Sequence, residues 1–162
     1  MPLVLRNDGT YLLVGCLGGL GRQVAMWMAD RGVKHMAFFS RTGTDNTSAA
    51  RTVQALRDRG VEVMVLRGDI TKFNHVQDAV AQASSALPIR GMINAANVLH
   101  DRVFHNMDVE SWRAVTDTKV KGCLNLHNAL VDQPLDFFVM TSSITSTLGS
   151  TGQSNYGAGE FP

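Results

Sequence analysis

The sequence has few of the features that mark secreted, disulfide-bonded or membrane proteins. Its 162 residues include only two cysteines, Cys16 and Cys123, which lie far apart and in no metal-like or redox-like spacing. This usage predicts free thiols in a reducing compartment. The apolar run at 3–5 is broken at once by Arg6, too early for a signal peptide or a membrane span. We therefore expect a cytoplasmic protein that does not enter the membrane.

Charge is also scarce, and it is not concentrated anywhere along the chain. Charged residues make up 18% of the sequence, the net charge is +1, and no dense block of Lys and Arg occurs. Nucleic acids and anionic membranes are bound mainly through clustered positive charge, so we expect neither as a partner. With 44% hydrophobic residues, the chain is long enough for one sizeable core. A single domain over residues 1–162 is expected.

Short apolar runs alternate with longer amphipathic segments. The runs are nearly continuous, as expected for parallel strands covered on both faces, and they lie at 10–15, 35–40, 61–66, 89–96 and 135–142. Between them, apolar residues recur at helical spacing from Leu20 to Met28, from Phe73 to Ala83 and from Trp112 to Leu130. This alternation predicts an α/β fold with a Rossmann-like, doubly wound parallel sheet of strand order 3-2-1-4-5.

A glycine-rich loop, "VGCLGGLGRQ" at 14–23, joins the first predicted strand to the first helix. Its glycines allow a tight turn and let backbone amides and the helix N-terminus approach a pyrophosphate. The alternative is a loop that is rich in glycine only because the strand and helix pack closely. The position in a βαβ unit favours a dinucleotide site. The residues assigned to that site are Gly15, Gly18, Gly19, Leu20 and Gly21.

The end of the second strand indicates which dinucleotide is bound. Enzymes that use NAD commonly place an acidic residue there for the ribose 2′-hydroxyl, whereas NADP needs a cation for the 2′-phosphate. This chain has Ser40 and Arg41, and a guanidinium can bind a phosphate through two parallel hydrogen bonds. We therefore predict NADPH; the alternative for Arg41 is an ordinary solvated side chain.

Two further groups follow strands three and four, where ligands of such sheets bind. Asp69 and Ile70 are placed to meet the adenine, while Asn94 and Ala95 could line the cofactor ribose. Each alone could equally be a turn residue, so these assignments depend on the glycine loop.

Several motifs together resemble a known family. They are the glycine loop, "SR" at 40–41, "GDIT" at 68–71, "NAANVLHDRVF" at 94–104, "KVKGCLNLH" at 119–127 and "FFVMTSSITSTLGSTGQSNYGAG" at 137–159. In sequence and spacing they resemble the ketoreductase domains of fungal highly reducing polyketide synthases, which are short-chain dehydrogenases/reductases. The resemblance implies NADPH-dependent reduction of the β-keto group of a polyketide held by an acyl carrier protein. It also implies other synthase domains as partners.

The resemblance assigns three catalytic residues. The family's serine falls on Ser143, its tyrosine on Tyr156 and its lysine on Lys119. A ketone that accepts a hydride needs a proton on its oxygen, and a tyrosine of pKa ~10 needs a nearby cation to release one. The serine hydroxyl would hold the keto oxygen by a hydrogen bond.

The chain departs from the family at three points. Glu160 stands where the family has an asparagine and is expected to pair with Lys119, Asn97 replaces a glycine, and the chain ends at Pro162, before the family's last strands. These departures leave two alternatives. One is a catalytically inactive nucleotide-binding module, and the other is an interaction protein that self-associates through its fifth strand.

The segment after the fourth strand bears on metal binding and stereochemistry. His100, Asp101 and His105 lack a metal-binding pattern, so no metal is expected. In the resemblance, 99–101 occupies the place of an element found in ketoreductases that give the D-configured alcohol, and no tryptophan precedes Tyr156 by three residues. This combination favours the D-hydroxy, B-type outcome.

Overall fold

The computed structural model describes residues 5–160; positions 1–4, with most of the N-terminal apolar run, and positions 161–162 lie outside it. Five strands are present: β1 (Thr10–Val14), β2 (His35–Ser40), β3 (Glu62–Arg67), β4 (Ile89–Asn94) and β5 (Phe137–Met140). They form one sheet of order β3-β2-β1-β4-β5 in which each neighbouring pair is parallel. The predicted Rossmann-like sheet and its strand order are confirmed.

Helices connect the strands and lie on both faces of the sheet. They are α1 (Gly19–Asp30), α2 (Thr47–Asp58), α3 (Phe73–Ala83), α4 (Val109–Thr116), α5 (Gly122–Ala129), α6 (Thr145–Leu148) and α7 (Ser154–Glu160). A 3₁₀ turn (Phe104–Asn106) precedes α4. No apolar repeat in the sequence predicted α2. Its N-cap is a residue type common at helix starts: Asn46 Oδ1 accepts the backbone N–H of Ser48 at 2.8 Å.

Alternate residues of the central strand serve two separate cores. Tyr11 and Leu13 face one cluster with Met28 and Leu56 of α1 and α2, whereas Leu12 and Val14 face another that includes side chains of α3 and α5. All four strand residues are at most 1% exposed. A strand buried on both faces requires apolar residues at every position, which explains the continuous runs in the sequence.

A π-helical turn (Asp117–Lys121) joins α4 to α5, so that one continuous helix changes its hydrogen-bond pattern for five residues. Turns of this kind are rare and often occur at functional sites. This one carries Lys119, which is buried. The extra residue per turn shifts the helical period, and Val120 and Leu124 of the predicted apolar series face solvent.

Some sequence expectations differ from the structure in detail. Strand β5 spans four residues instead of the predicted 135–142, and α1 buries Gly21, Ala25 and Met28 while Leu20 is exposed. Both cysteines are free, as predicted. Within residues 5–160, no helix combines the length and apolar character that crossing a membrane requires.

Candidate functional site

A cavity of about 910 Å³ opens at the carboxyl ends of the strands. This volume is in the range of small-molecule sites in proteins. Seven residues predicted from the sequence to bind a cofactor line it: Gly15, Gly18, Ser40, Arg41, Asp69, Ile70 and Ala95. The doubly wound topology brings these residues together from four different strand ends.

The glycines of the loop have different roles. Gly15 has a φ of +67°, and a Cβ there would lie 2.6 Å from the backbone nitrogen of Ala96. A Cβ on Gly21 would lie 2.6 Å from the carbonyl oxygen of Cys16. Gly19, in contrast, has nothing within 4 Å of that position. Gly15 and Gly21 therefore permit the turn and its packing, while Gly19 borders open space.

The N-terminus of α1 is suited to an anion. The helix begins at Gly19, its N-cap Gly18 provides no side-chain hydrogen bond, and its first turn contains no acidic residue. The first backbone N–H groups of a helix have no partner within the helix and carry its positive dipole end. They are consequently available to a phosphate group at this edge of the cavity.

Arg41 and Asp69 give the cavity a cation and an ionised carboxylate. Arg41 is exposed on the cavity wall, whereas Asp45 of the same loop is paired with Arg67. Burial raises the pKa of Asp69, but hydrogen bonds from Thr71 and the charge of Arg41 outweigh burial and hold the pKa below its usual value. Asp69 is therefore a hydrogen-bond acceptor at neutral pH.

Four predicted cofactor residues do not line the cavity: Gly19, Leu20, Gly21, which packs against Cys16, and Asn94. The buried Asn94 side chain is engaged locally. Its Nδ2 donates to Cys123 Sγ at 3.1 Å, and its Oδ1 accepts the backbone N–H of Ala96 at 3.1 Å. Asn94 thus fixes the turn after β4, and the neighbouring alanines form the wall.

One wall of the cavity was not anticipated from the sequence. Glu110, Arg113 and Asp117 line it from α4 and the π-helical turn. Their spacing of three and four residues is that of one helical face. The polar spacing could have been noticed in the sequence. Only the tertiary structure shows that this helical face lines the cavity.

The three residues assigned to catalysis lie together next to this edge of the sheet. Lys119 Nζ is 5.9 Å from the centroid of the Tyr156 ring and donates to the carbonyl oxygen of Thr141 at 3.4 Å. Ser143, just after β5, contributes a hydrogen bond to Tyr156 that favours the phenolate. The cluster is therefore assembled from β5, the π-helical turn and α7.

Glu160 changes the electrostatics of this cluster. Its Oε1 lies 2.6 Å from Lys119 Nζ, an ion-pair distance although the two groups are not aligned as a hydrogen bond. The pairing expected from the sequence is confirmed. Burial raises the pKa of Tyr156, and hydrogen bonding to the Glu160 carboxylate raises it further, against the opposing effect of Ser143. Tyr156 is thus a weaker acid here than an ordinary tyrosine.

The loop after β4 is held to the turn that precedes α7. Gln153 Nε2 donates to Asp101 Oδ2 at 2.9 Å, and the backbone N–H of Arg102 donates to the carbonyl oxygen of Gly152 at 2.8 Å. The element predicted to influence stereochemistry therefore lies against the segment that carries Tyr156.

The sheet agrees with comparisons to known proteins. The family model described as "KR domain" matches residues 9–161. The chain belongs to the KR domain family. Reducing polyketide synthase DEP5 of Fusarium langsethiae is 51% identical over 156 residues, and highly reducing polyketide synthase 19 of Pyricularia oryzae is 46% identical over 160. These alignments cover 96% and 98% of the chain but only 7% and 6% of those proteins.

Solved KR structures show the same fold. A ketoreductase domain from the bacillaene assembly line superposes with a TM-score of 0.92 at 28% identity, over 98% of this chain and 38% of that one. The first ketoreductase of the tylosin polyketide synthase superposes with a TM-score of 0.84 at 33% identity, over 97% and 34%. The resemblance to polyketide synthase ketoreductases is thereby confirmed.

Proposed function

We propose that this KR chain reduces the β-keto group of a carrier-bound polyketide intermediate to a hydroxyl group with NADPH, in the cytoplasm. The observation that carries the proposal is the meeting of Tyr156, Ser143 and Lys119 next to a cavity whose lining includes Thr118 and Arg41. The other domains of a polyketide synthase and its acyl carrier protein are the proposed partners, because the relatives are long synthases of which this chain matches a small part.

The residues present fit a dinucleotide phosphate. The glycine turn and the uncapped N-terminus of α1 suit the pyrophosphate, and Arg41 suits the 2′-phosphate. No acidic residue replaces Arg41 after β2, as the ribose of NAD would favour. Asp69 and Ile70 would meet the adenine.

The reaction needs three contributions from the chain. NADPH, when bound, supplies the hydride for the keto carbon. Ser143 donates a hydrogen bond to the keto oxygen, and Tyr156 gives that oxygen its proton, which completes the hydroxyl. Lys119 supplies positive charge that stabilises the phenolate left behind. The loop at 99–101 supports the D-configured product.

The Lys119–Glu160 pair favours a second candidate, a nucleotide-binding module with little turnover. A carboxylate 2.6 Å from the ammonium group offsets the charge that would help Tyr156 release its proton. Neither residue lines the cavity, so we expect cofactor binding to be retained where turnover is not.

Thermal unfolding with NADPH and with NADH tests the cofactor. A ligand that binds only the folded state raises the melting temperature by mass action, so NADPH should raise it more than NADH. Arg41→Ala should remove most of that difference, whereas Arg51→Ala, an exposed arginine of α2, should not. Equal shifts by the two cofactors in the parent would contradict NADPH.

Turnover is tested with a β-ketoacyl thioester by following NADPH consumption, with Tyr156→Phe as the control. Tyr156-dependent reduction supports the reductase. Cofactor binding without any reduction supports the nucleotide-binding module.

A further inference from the structure

Asn155, directly before Tyr156, is completely buried in the first turn of α7. A buried amide without partners would destabilise the fold, so its hydrogen bonds indicate what the residue is for. Its Nδ2 donates to the carbonyl oxygen of His100 at 3.0 Å and to that of Ser111 at 3.2 Å. Its Oδ1 accepts the backbone N–H of Tyr156 at 2.8 Å.

These three bonds connect separate parts of the site. His100 belongs to the loop after β4, Ser111 to α4, and the N–H group to Tyr156 itself. An N–H group in the first turn of a helix has no partner in that helix, so the Asn155 oxygen supplies the missing one. The Gln153–Asp101 contact joins the same loop to the turn before α7 but is exposed to solvent. Asn155 makes the buried contact between this loop and α7.

The chemistry requires an amide at this position. Both donated bonds end on carbonyl oxygens, which a carboxylate could only repel, and the accepted bond requires an oxygen on the same group. An aspartate has the same shape but would remove both donated bonds and place a carboxylate against two carbonyl oxygens. A side chain chosen only to fill space would not need this polarity.

We propose that Asn155 is a positioning residue for Tyr156, fixing the tyrosine backbone against the loop after β4 and against α4. It does not touch the substrate. It holds the phenol ring where its hydroxyl can reach the keto oxygen and Lys119 lies beneath the ring. This inference rests on the proposed reductase function for its kinetic consequence and on geometry alone for its structural one.

The kinetic test compares Asn155→Ala and Asn155→Asp with Gln133→Ala. Gln133 is a matched control because its Oε1 accepts the N–H of Ile89 at 3.0 Å, at the opposite end of the sheet. A misplacement near 1 Å can cost about 100-fold in rate. We expect kcat to fall about 10- to 100-fold in both Asn155 variants, with the KM of the thioester and the Kd of NADPH nearly unchanged. Gln133→Ala should retain its kcat.

A second measurement does not require turnover. The chain has two tyrosines, so protein labelled with ¹³C at tyrosine Cζ gives two signals, which Tyr156→Phe assigns. In Asn155→Ala the hydroxyl should leave the Glu160 carboxylate, and the pKa of Tyr156 should fall toward the ordinary value of ~10. Asn155→Ser, which keeps a hydroxyl, is the milder variant if the alanine protein does not fold.

The outcomes separate the two proposals. If the parent and Gln133→Ala reduce no thioester, the reductase function fails, and the tyrosine titration alone decides the role of Asn155. If reduction occurs and folded Asn155 variants match Gln133→Ala in kcat and the parent in Tyr156 pKa, the positioning role is overturned while the function stands.

Discussion

Lys119 and Glu160 form an ion pair that is almost entirely removed from solvent, with side chains 6% and 2% exposed. Their attraction must repay the desolvation of both charges, so the pair contributes little net stability although losing one partner is costly. Its larger effect is on Tyr156, whose hydroxyl shares the same carboxylate. Glu160 thereby adds to the effect of burial, which is the larger cause of the raised pKa of the proposed proton donor.

Glu160→Gln should make the protein less stable and Tyr156 a stronger acid. Without the carboxylate, Lys119 remains buried without a counter-ion, and the free energy of unfolding should fall by about 3–5 kcal/mol. The pKa of Tyr156 should fall at the same time. We expect kcat to rise about tenfold, because the pKa of the proton donor then lies nearer the working pH. Chemical denaturation and NADPH consumption measure the two effects.

The dependence of activity on pH shows the direction in which the pKa of Tyr156 moves. Tyr156 must be protonated to act, so activity is lost as pH rises through its pKa, which in the parent lies above the ordinary ~10. In Glu160→Gln that loss should begin at lower pH. Glu62→Gln, at an exposed glutamate of β3, is the control and should leave the profile unchanged. An unaltered profile in Glu160→Gln would contradict the coupling.

For single residues, the sequence predicts which side chains belong to the site better than it predicts their hydrogen-bond partners. Ser143, Tyr156 and Lys119 were assigned because their motifs resemble a family, and they do lie together. Asn155 was not singled out because its three bonds depend on how a distant loop and helix pack. A hydrogen bond between positions 44 or 55 residues apart leaves no local pattern.

Among the elements, the π-helical turn has the clearest link to function. A side chain in a regular helix at position 119 would point about 100° away from its present direction, because one residue of α-helix advances by that angle. The turn therefore accounts for a lysine facing Tyr156 from a helix whose Val120 faces solvent. Nothing in local composition predicts this change of pattern, since the apolar spacing alone indicates a continuous α-helix.

Substitutions in the glycine turn should separate folding from cofactor binding. Gly21→Ala places a methyl group against the Cys16 backbone and should lower the melting temperature by several degrees. Gly19→Ala meets no atom and should leave stability unchanged or slightly raised, yet it should weaken NADPH binding about tenfold or more because its methyl enters the phosphate site. Calorimetry and fluorescence titration distinguish them. Tight NADPH binding by Gly19→Ala would contradict the assignment of this turn.

Strand boundaries illustrate what periodicity can define. β2 matches its predicted limits because Lys34 and Arg41 interrupt the apolar run at both ends. β5 is four residues shorter than predicted, since the polar residues that follow it turn toward α6 and α7. Apolar runs therefore locate strands well, while their ends depend on the turns that follow.

At the scale of the whole molecule, β5 is one of the two edge strands of the described sheet and pairs with β4 only. Val139 and Met140 are 44% and 54% exposed, and Leu124 and Ile144 are also exposed. An uncovered apolar strand edge is a template for pairing with another chain.

We therefore predict that the 162-residue chain self-associates. Sedimentation at increasing concentration should show dimers or larger species, and Val139→Lys should shift the population toward monomer. Val131→Lys, at an exposed valine after α5, carries the same change elsewhere and should have no such effect. A parent that stays monomeric at high concentration would refute the prediction.

The residues around the cavity and those of the Tyr–Ser–Lys cluster occupy different stretches of the chain. The cavity wall runs from Val14 to Thr118, and the reacting groups lie at Lys119 and beyond. A library screened only for NADPH retention would therefore accept many substitutions at positions 143 and 156. Such a screen would enrich for proteins that hold the cofactor and never use it, so any improvement of this chain has to be selected on product.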